Sequence, residues 1–116
     1  MRIVKKPWGH EEIWAETDKY LGKILYINQG HRLSLQFHEK KTETIRVLSG
    51  KLHLVLQDRR DGPIFNQVLN EGESYHVGCG TIHRFCAPES DVALLEVSTP
   101  EIDDVVRIDD DYSRST

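Results

Sequence analysis

The sequence predicts an all-β protein whose short antiparallel strands close into a barrel, with residues 1–116 forming a single domain. Segments that alternate apolar and polar residues follow one another along the chain, and turn signals separate them at roughly every 8 to 12 residues. Only one segment, 100–106, suggests a helix, because Glu101, Asp103 and Asp104 would suit a first helical turn. We therefore expect roughly six to eleven strands and little helix.

The individual strands follow from alternation, from β-branched residues and from the glycines that end each segment. Ser49-Gly50 closes one strand, and Asp61-Gly62 lies in the turn at 59–63. Further glycines divide the segment 64–80 into two short strands. The predicted strands are 23–30, 31–38, 42–50, 51–58, the two short strands within 64–80, 83–88 and 92–99.

Composition excludes several classes of protein. The chain has a formal net charge of −4, whereas a general nucleic-acid binder usually carries a basic excess. No apolar run is long enough to cross a membrane, and the first residues lack the apolar stretch of a signal peptide. We therefore expect a cytoplasmic protein that binds neither nucleic acid nor membrane.

Cys79 and Cys86 could form one disulfide, but a cytosolic chain more often keeps such thiols reduced.

The stretch LSLQFHEKKTE (33–43) carries polar side chains where a strand should be half buried. Residues two apart in a strand point to the same face, so the stretch separates into two sets. The polar set is Ser34, Gln36 and His38, and the apolar set is Leu33, Leu35 and Phe37. The polar face is therefore either exposed to solvent or in contact with a bound ion or molecule.

Glu43 shares its strand face with Ile45 and Val47, which indicates that its carboxylate points inward. A buried carboxylate is costly unless it is paired or bound to a cation. His83 follows the tight turn GCGTI and shares its face with Phe85, so it is also expected to point inward. The predicted metal ligands are Gln36, His38, Glu43 and His83, and such donors suit zinc and other first-row divalent ions. The alternative is a polar barrel mouth with hydrogen-bonded histidines and no metal.

These segments resemble the two motifs of the cupin superfamily. Residues 30–50 are similar to the first motif, with a glycine at each end around Gln36, His38 and Glu43, and residues 72–83 are similar to the second. Gln36 stands where most cupins have histidine. Gly78 replaces the usual turn proline, and Ala87 replaces a late asparagine. The resemblance implies the cupin double-stranded β-helix, a jelly-roll barrel.

A narrower resemblance is to the phosphomannose isomerase cupin domain that is fused to mannose-1-phosphate guanylyltransferases. LSLQFH resembles the signature of these isomerases, KPWG at 6–9 resembles the opening of that domain, and DDVVRIDDDYSR at 103–114 resembles its close. The four predicted ligands are similar to the zinc shell of the classical phosphomannose isomerases. The resemblance implies a mannose-6-phosphate isomerase, although Lys41 stands where the family usually has arginine.

Aldose–ketose isomerisation needs a positioned group that moves a proton between adjacent carbons. Glu96 is an acid within an apolar strand, where burial would raise its pKa. Lys23 and Lys41 also have sequence positions that allow them to reach the interior. The predicted catalytic residues are therefore Glu96, Lys23 and Lys41, with Lys41 binding the substrate phosphate. The alternative for Glu96 is an ion pair or a place on the outer face.

A sugar phosphate is the expected partner, because a local excess of cations runs through Arg32, Lys40, Lys41, Arg46 and Lys51. Arg46 and Arg84 have the opposite parity to Glu43 and His83, which predicts surface or intersubunit pairing. Trp8 and Trp14 would cover a barrel end or a dimer seam, and we expect a homodimer. The competing functions are a non-catalytic metal- and sugar-binding module and another metal-dependent cupin enzyme, an epimerase or a dioxygenase.

Overall fold

The computed structural model describes residues 1–114, and within them it contains eleven β-strands and no helix. The all-β prediction and the predicted number of strands are confirmed. The strands are β1 (Arg2–Lys6), β2 (Gly9–Glu16), β3 (Leu21–Ile27), β4 (Leu35–Phe37), β5 (Glu43–Ser49), β6 (Leu52–Gln57), β7 (Ile64–Leu69), β8 (Ser74–Val77), β9 (Ile82–Cys86), β10 (Val92–Ser98) and β11 (Val106–Asp109).

The strands form two antiparallel sheets that enclose the core between them. One sheet has six strands in the order β1-β2-β3-β10-β5-β8, and the other has five in the order β11-β4-β9-β6-β7. Strands that are distant in sequence are neighbours in both sheets, so most contacts join remote parts of the chain. This topology places β4, β5, β9 and β10 in the wall of one barrel, so that side chains from all four can reach its interior.

Trp8 is a large side chain of the hydrophobic core. It lies in the two-residue turn between β1 and β2, is 2% exposed, and belongs to the same apolar cluster as Leu33 and Phe85. The turn can pack this closely because Gly9 follows it. A side chain at Gly9 would place its Cβ in collision with the carbonyl oxygen of Tyr26. Trp8 is therefore a core residue that also lines the cavity.

Trp14 lies on the outer face of the six-stranded sheet and is about half exposed. Its indole packs against Gly22, where a side chain would come within 2.7 Å of the ring. Val97 pairs with Gly22 across β3 and β10 and is also exposed, as is Leu48 on the neighbouring β5. We call these exposed apolar residues, Trp14, Leu48 and Val97, the outer apolar face of the sheet.

The helix predicted for residues 100–106 does not form. Tight turns occupy the segment, with hydrogen bonds from Ile102 N to Pro100 O and from Asp104 N to Glu101 O. The Asp104 carboxylate accepts backbone N–H groups from residues 39–41, so it caps a different part of the chain. The segment then continues as β11, which pairs with β4.

Arg84 is buried, and the predicted surface or intersubunit role is therefore wrong. Its guanidinium donates hydrogen bonds to the carbonyl oxygen of Leu33 at 2.8 Å and to that of Asp109 at 2.8 Å. The cause is the end of β11, where the carbonyl oxygen and the carboxylate of Asp109 lie within hydrogen-bond distance of this guanidinium. Arg46 is exposed, as expected for its strand face.

Two further features concern the sequence expectations. Cys79 is exposed, Cys86 is half buried, and both are free. Among the described residues, no helix is long and apolar enough to span a membrane.

Candidate functional site

The structure brings three of the four predicted metal ligands into one buried cluster. His38 directly follows β4, Glu43 begins β5 and His83 lies in β9. One ligand atom from each of the three lies within 4.8 Å of the others. Gln36 is buried, pairs with His83 in the register of β4 and β9, and lines the cavity that contains His38 and Glu43. The predicted alternation is thus reproduced, since Gln36 and His38 face inward.

Hydrogen bonds to backbone carbonyls orient both histidines. His38 Nδ1 lies 2.6 Å from the carbonyl oxygen of Asp104, and His83 Nδ1 lies 2.9 Å from that of Thr81. Because a carbonyl oxygen only accepts, each Nδ1 carries the proton and donates it. Each Nε2 therefore has its lone pair free for another contact in the neutral ring.

Both Nε2 atoms face the same oxygen of Glu43. His38 Nε2 is 3.3 Å and His83 Nε2 is 3.4 Å from Glu43 Oε1. His83 is fully buried, and its Nε2 makes no hydrogen bond with good geometry among the described residues. Two lone pairs and a carboxylate oxygen that converge in a buried space repel one another unless a cation or a proton lies between them.

This donor set fits a divalent metal ion. Imidazole nitrogen and carboxylate oxygen are the ligands that zinc takes in proteins, and the Gln36 amide oxygen could add a neutral donor. Histidines that bind metals usually donate their other ring N–H to a carbonyl or carboxylate, as His38 and His83 do here. The cluster therefore has both the ligands and the supporting hydrogen bonds that a metal centre requires.

Asp104 organises the loop after His38, and this role was not predicted from the sequence. Its carboxylate accepts the backbone N–H groups of Glu39, Lys40 and Lys41 at 2.7 to 3.1 Å, while its carbonyl oxygen holds His38. Partial burial acts to raise the pKa of Asp104, but the three N–H groups outweigh it, and the pKa lies below its usual range.

Glu96 lies beside the cluster and is paired with Lys41. The Lys41 ammonium is 3.0 Å from Glu96 Oε2 and 3.6 Å from Glu43 Oε2, and all three side chains are buried. Burial, followed by the negative charge of Glu43, raises the pKa of Glu96 to about 7, although Lys41 opposes the change. Burial alone would lower the pKa of Lys41, but Glu96 and Glu43 outweigh it and raise the pKa.

Lys23 also lines the cavity, so all three predicted catalytic residues are there. It lies opposite Glu96 in the register of β3 and β10. Its ammonium forms a buried ion pair with Glu11 Oε1 at 3.2 Å. Glu96 thus faces the cavity, as expected for a catalytic acid. It also forms an ion pair with Lys41, which was the alternative prediction for it.

The cations that line the cavity differ from those expected. Of the predicted set, only Lys41 lines it, and the other members are exposed: Arg32, Lys40, Arg46 and Lys51. The additional cavity cations are Lys6, Arg107 and Arg114. They lie in the two terminal stretches, 6–9 and 103–114, whose family resemblance was the only signal in the sequence for them.

Comparison with curated proteins identifies relatives of this chain. It is 33% identical to the mannose-1-phosphate guanylyltransferase of Escherichia coli (strain K12), in a match that covers 97% of this chain and 23% of that protein. It is 27% identical to the alginate biosynthesis protein AlgA of Pseudomonas aeruginosa, with coverage of 97% and 23% respectively. The chain therefore spans about a quarter of the length of these relatives.

Solved structures share the fold at low sequence identity. Capsular polysaccharide assembling protein CapF from Staphylococcus aureus has a TM-score of 0.81 and 16% identity, over 93% of this chain and 34% of that one. KdgF from Halomonas sp. has a TM-score of 0.72 and 17% identity, over 87% and 89%. An oxalate decarboxylase variant from Bacillus subtilis has a TM-score of 0.77 and 14% identity, over 92% and 30%.

These likenesses confirm the predicted cupin fold. The family model described as "Mannose-6-phosphate isomerase C-terminal" matches residues 1–110, which is nearly the whole chain. The match includes the four predicted ligands and every residue that lines the cavity except Arg114. The chain belongs to the family of mannose-6-phosphate isomerase C-terminal domains and has the cupin barrel fold.

Proposed function

We propose that this chain is a metal-dependent isomerase of sugar phosphates, which interconverts mannose 6-phosphate and the corresponding ketose phosphate. The observation that carries the proposal is the convergence of His38 Nε2 and His83 Nε2 on Glu43 Oε1, with both rings held by carbonyl oxygens. Membership of the isomerase family supports the choice of reaction and substrate.

A divalent ion, with zinc as the first candidate, would be held by Gln36, His38, Glu43 and His83. When bound, such an ion supplies Lewis-acid polarisation of a carbonyl group and an adjacent hydroxyl group. The side chains around the cluster then have to orient the sugar, exclude water and move the proton.

Glu96 is the proposed proton carrier. Isomerisation moves a proton from the carbon next to the carbonyl to the carbonyl carbon, while a hydroxyl proton moves from the oxygen of the first carbon to the oxygen of the second. One base can therefore serve the carbon-bound proton in both directions. Glu96 lines the cavity beside Glu43 and is nearly inaccessible to bulk water. Lys23 is a weaker candidate, because its ammonium is paired with Glu11 and has no free position for a proton.

Lys41 has a positioning role in this scheme. Its ammonium lies between Glu43 and Glu96 and compensates two buried carboxylates that would otherwise repel each other. The same contacts also favour the second candidate function, a metal- and sugar-binding module without turnover. A lysine that is paired with two carboxylates is not available to bind phosphate in place of the arginine that the family usually has at this position.

Incubation of zinc-loaded protein with mannose 6-phosphate in deuterated water, followed by NMR, tests the proposal. The ketose phosphate should appear in the wild type, and Glu96→Gln should retain zinc but lose the isomerisation. His76→Ala is a suitable control, since His76 is exposed on β8, outside the cavity. If no sugar phosphate is converted while sugars still raise the melting temperature, the chain is a binding module. Oxygen consumption with an iron-loaded sample would instead indicate a dioxygenase.

A further inference from the structure

We propose that a second subsite at the mouth of the cavity, formed by Lys6, Arg107 and Arg114, binds the phosphate group of the substrate. The inference rests on the proposed function for its substrate and deepens it by separating two tasks. The reacting end of the sugar would lie against the buried cluster, and the phosphorylated end would lie against these three cations. Lys41 would then have no direct contact with phosphate.

The burial of the lining residues gives the cavity a direction. Glu43 and Glu96 are almost completely buried at its inner end, whereas Lys6, Arg107 and Arg114 are only partly buried and mark its outer end. An extended ligand that enters between these cations would therefore reach the carboxylates with its leading end.

The three cations come from the two ends of the chain. Lys6 is the last residue of β1, Arg107 lies in β11 opposite Gln36 in the register with β4, and Arg114 follows β11. Arg107 is therefore on the strand next to a predicted metal ligand. This arrangement gives the terminal strands a role at the site in addition to packing.

The inner lysines differ from Lys6 in how their charges are compensated. The inner lysines are compensated by buried carboxylates, Lys23 by Glu11 and Lys41 by Glu96. Within residues 1–114, no carboxylate lies within ion-pair distance of the Lys6 ammonium, although that side chain lines the cavity. A ligand anion at the mouth would supply the negative charge that the protein provides for the inner lysines.

Electrostatics at Lys6 agree with this geometry. Burial lowers the pKa of Lys6, Glu11 opposes the change, and the positive charges of Lys23, Arg114 and Arg107 lower the pKa further. Lys6, Arg107 and Arg114 are thus close enough to repel one another at the mouth of the cavity. A phosphate monoester carries close to two negative charges at neutral pH and would relieve that repulsion.

The side-chain types also suit a phosphate. A guanidinium can bind two phosphate oxygens through parallel N–H donors, and a lysine adds a point charge without fixing a direction. Arg114 is already oriented by Asp110, whose carboxylate accepts its Nε and Nη2 hydrogens at 2.9 and 3.1 Å. The subsite therefore selects sugars with a phosphate remote from the carbonyl over free sugars.

Calorimetric titration with inorganic phosphate tests the subsite without requiring turnover. Lys6→Met and Arg107→Met should each weaken phosphate binding by about tenfold or more, which is the effect of losing one charge-assisted hydrogen bond. Arg107→Lys should recover part of the loss. Lys5→Met is the matched control, because Lys5 precedes Lys6 on β1 but is exposed and does not line the cavity. Unchanged zinc content and far-ultraviolet circular dichroism would show that the variants are folded.

Kinetics with mannose 6-phosphate separate this inference from the proposed function. Lys6→Met should raise KM by about tenfold and change kcat by less than about twofold, because ground-state binding is what it removes. If isomerisation occurs and neither Lys6→Met nor Arg107→Met changes KM or phosphate affinity, the subsite is refuted and the function stands. If phosphate binds through these residues but no sugar phosphate is converted, the subsite stands and the isomerase proposal is refuted. If inorganic phosphate does not bind and no conversion occurs, both fail.

Discussion

Zinc should stabilise this protein against heat, and substitution of His83 should abolish that effect. The reason is that two imidazole lone pairs point at one carboxylate oxygen, Glu43 Oε1, in the folded chain, and a cation between them would remove their repulsion. A ligand that binds only the folded state raises the free energy of unfolding in proportion to the logarithm of its concentration. The unfolded chain scatters His38, Glu43 and His83 and cannot hold the ion in the same way.

The expected shift can be worked out from the size of the chain. Zinc at about 100 times its dissociation constant adds about 2.7 kcal/mol to the free energy of unfolding. A chain of 116 residues has an unfolding entropy of about 0.24 kcal/mol per kelvin. The melting temperature of the wild type should therefore rise by about 10 °C when zinc is added to protein stripped with a chelator.

Differential scanning fluorimetry with and without zinc measures this shift, and elemental analysis gives the metal content. His83→Leu keeps an apolar side chain of similar volume in the buried position but removes the ligand, so its shift should be close to zero. His76→Ala, which changes an exposed histidine on β8, should respond as the wild type does. The reasoning is refuted if His83→Leu gains as much as the wild type, or if chelation leaves the wild type unchanged.

Three further outcomes are expected. Glu96→Gln should lower kcat by roughly 10² to 10⁴ in a coupled isomerase assay while zinc content stays constant, and an undiminished kcat would exclude Glu96 as the base. The Arg114 side chain lowers the pKa of Asp110 to about 2 from 3.8, so its stabilisation should be present above about pH 4 and lost toward pH 2; Asp110→Asn should flatten this part of the pH–stability curve in urea titrations. Val97→Asp, beside Trp14 on the outer apolar face, should convert the expected homodimer to a monomer in sedimentation experiments, whereas a monomeric wild type would contradict the dimer itself.

Strand parity predicted the inner part of the site, because it depends only on local sequence. Ile45 and Val47 identify the buried face of β5, and Glu43 must share it in a strand of period two. Phe85 does the same for His83, and the two rings lie 5.3 Å apart in the structure. The same reasoning could not fix the distance between strands, since that is set by pairing between remote segments.

The outer part of the site depends on such pairing, and for this reason the sequence did not predict it. β1, β2 and β11 were not among the predicted strands, although EEIWAE at 11–16 contains the apolar alternation of a strand. A helix was predicted instead for 100–106, just before β11, because the acidic residues at 101–104 suit a helix start as well as they suit a capped turn. Only the folded structure shows that the Asp104 carboxylate accepts hydrogen bonds from the backbone N–H groups of residues 39–41.

Lys41 illustrates how a substitution within a family pattern is understood once its contacts are known. The sequence suggested that lysine would be a weaker phosphate ligand than the usual arginine, because lysine has no planar fork. In the fold, the Lys41 ammonium contacts Glu96 and Glu43 on the inner side of the cavity, where a point charge between two carboxylates is sufficient. Its positive charge also opposes the rise in the pKa of Glu96, which keeps part of that carboxyl ionised near neutral pH. The departure from arginine is therefore compatible with isomerase chemistry, provided that phosphate is bound by Lys6, Arg107 and Arg114 at the mouth.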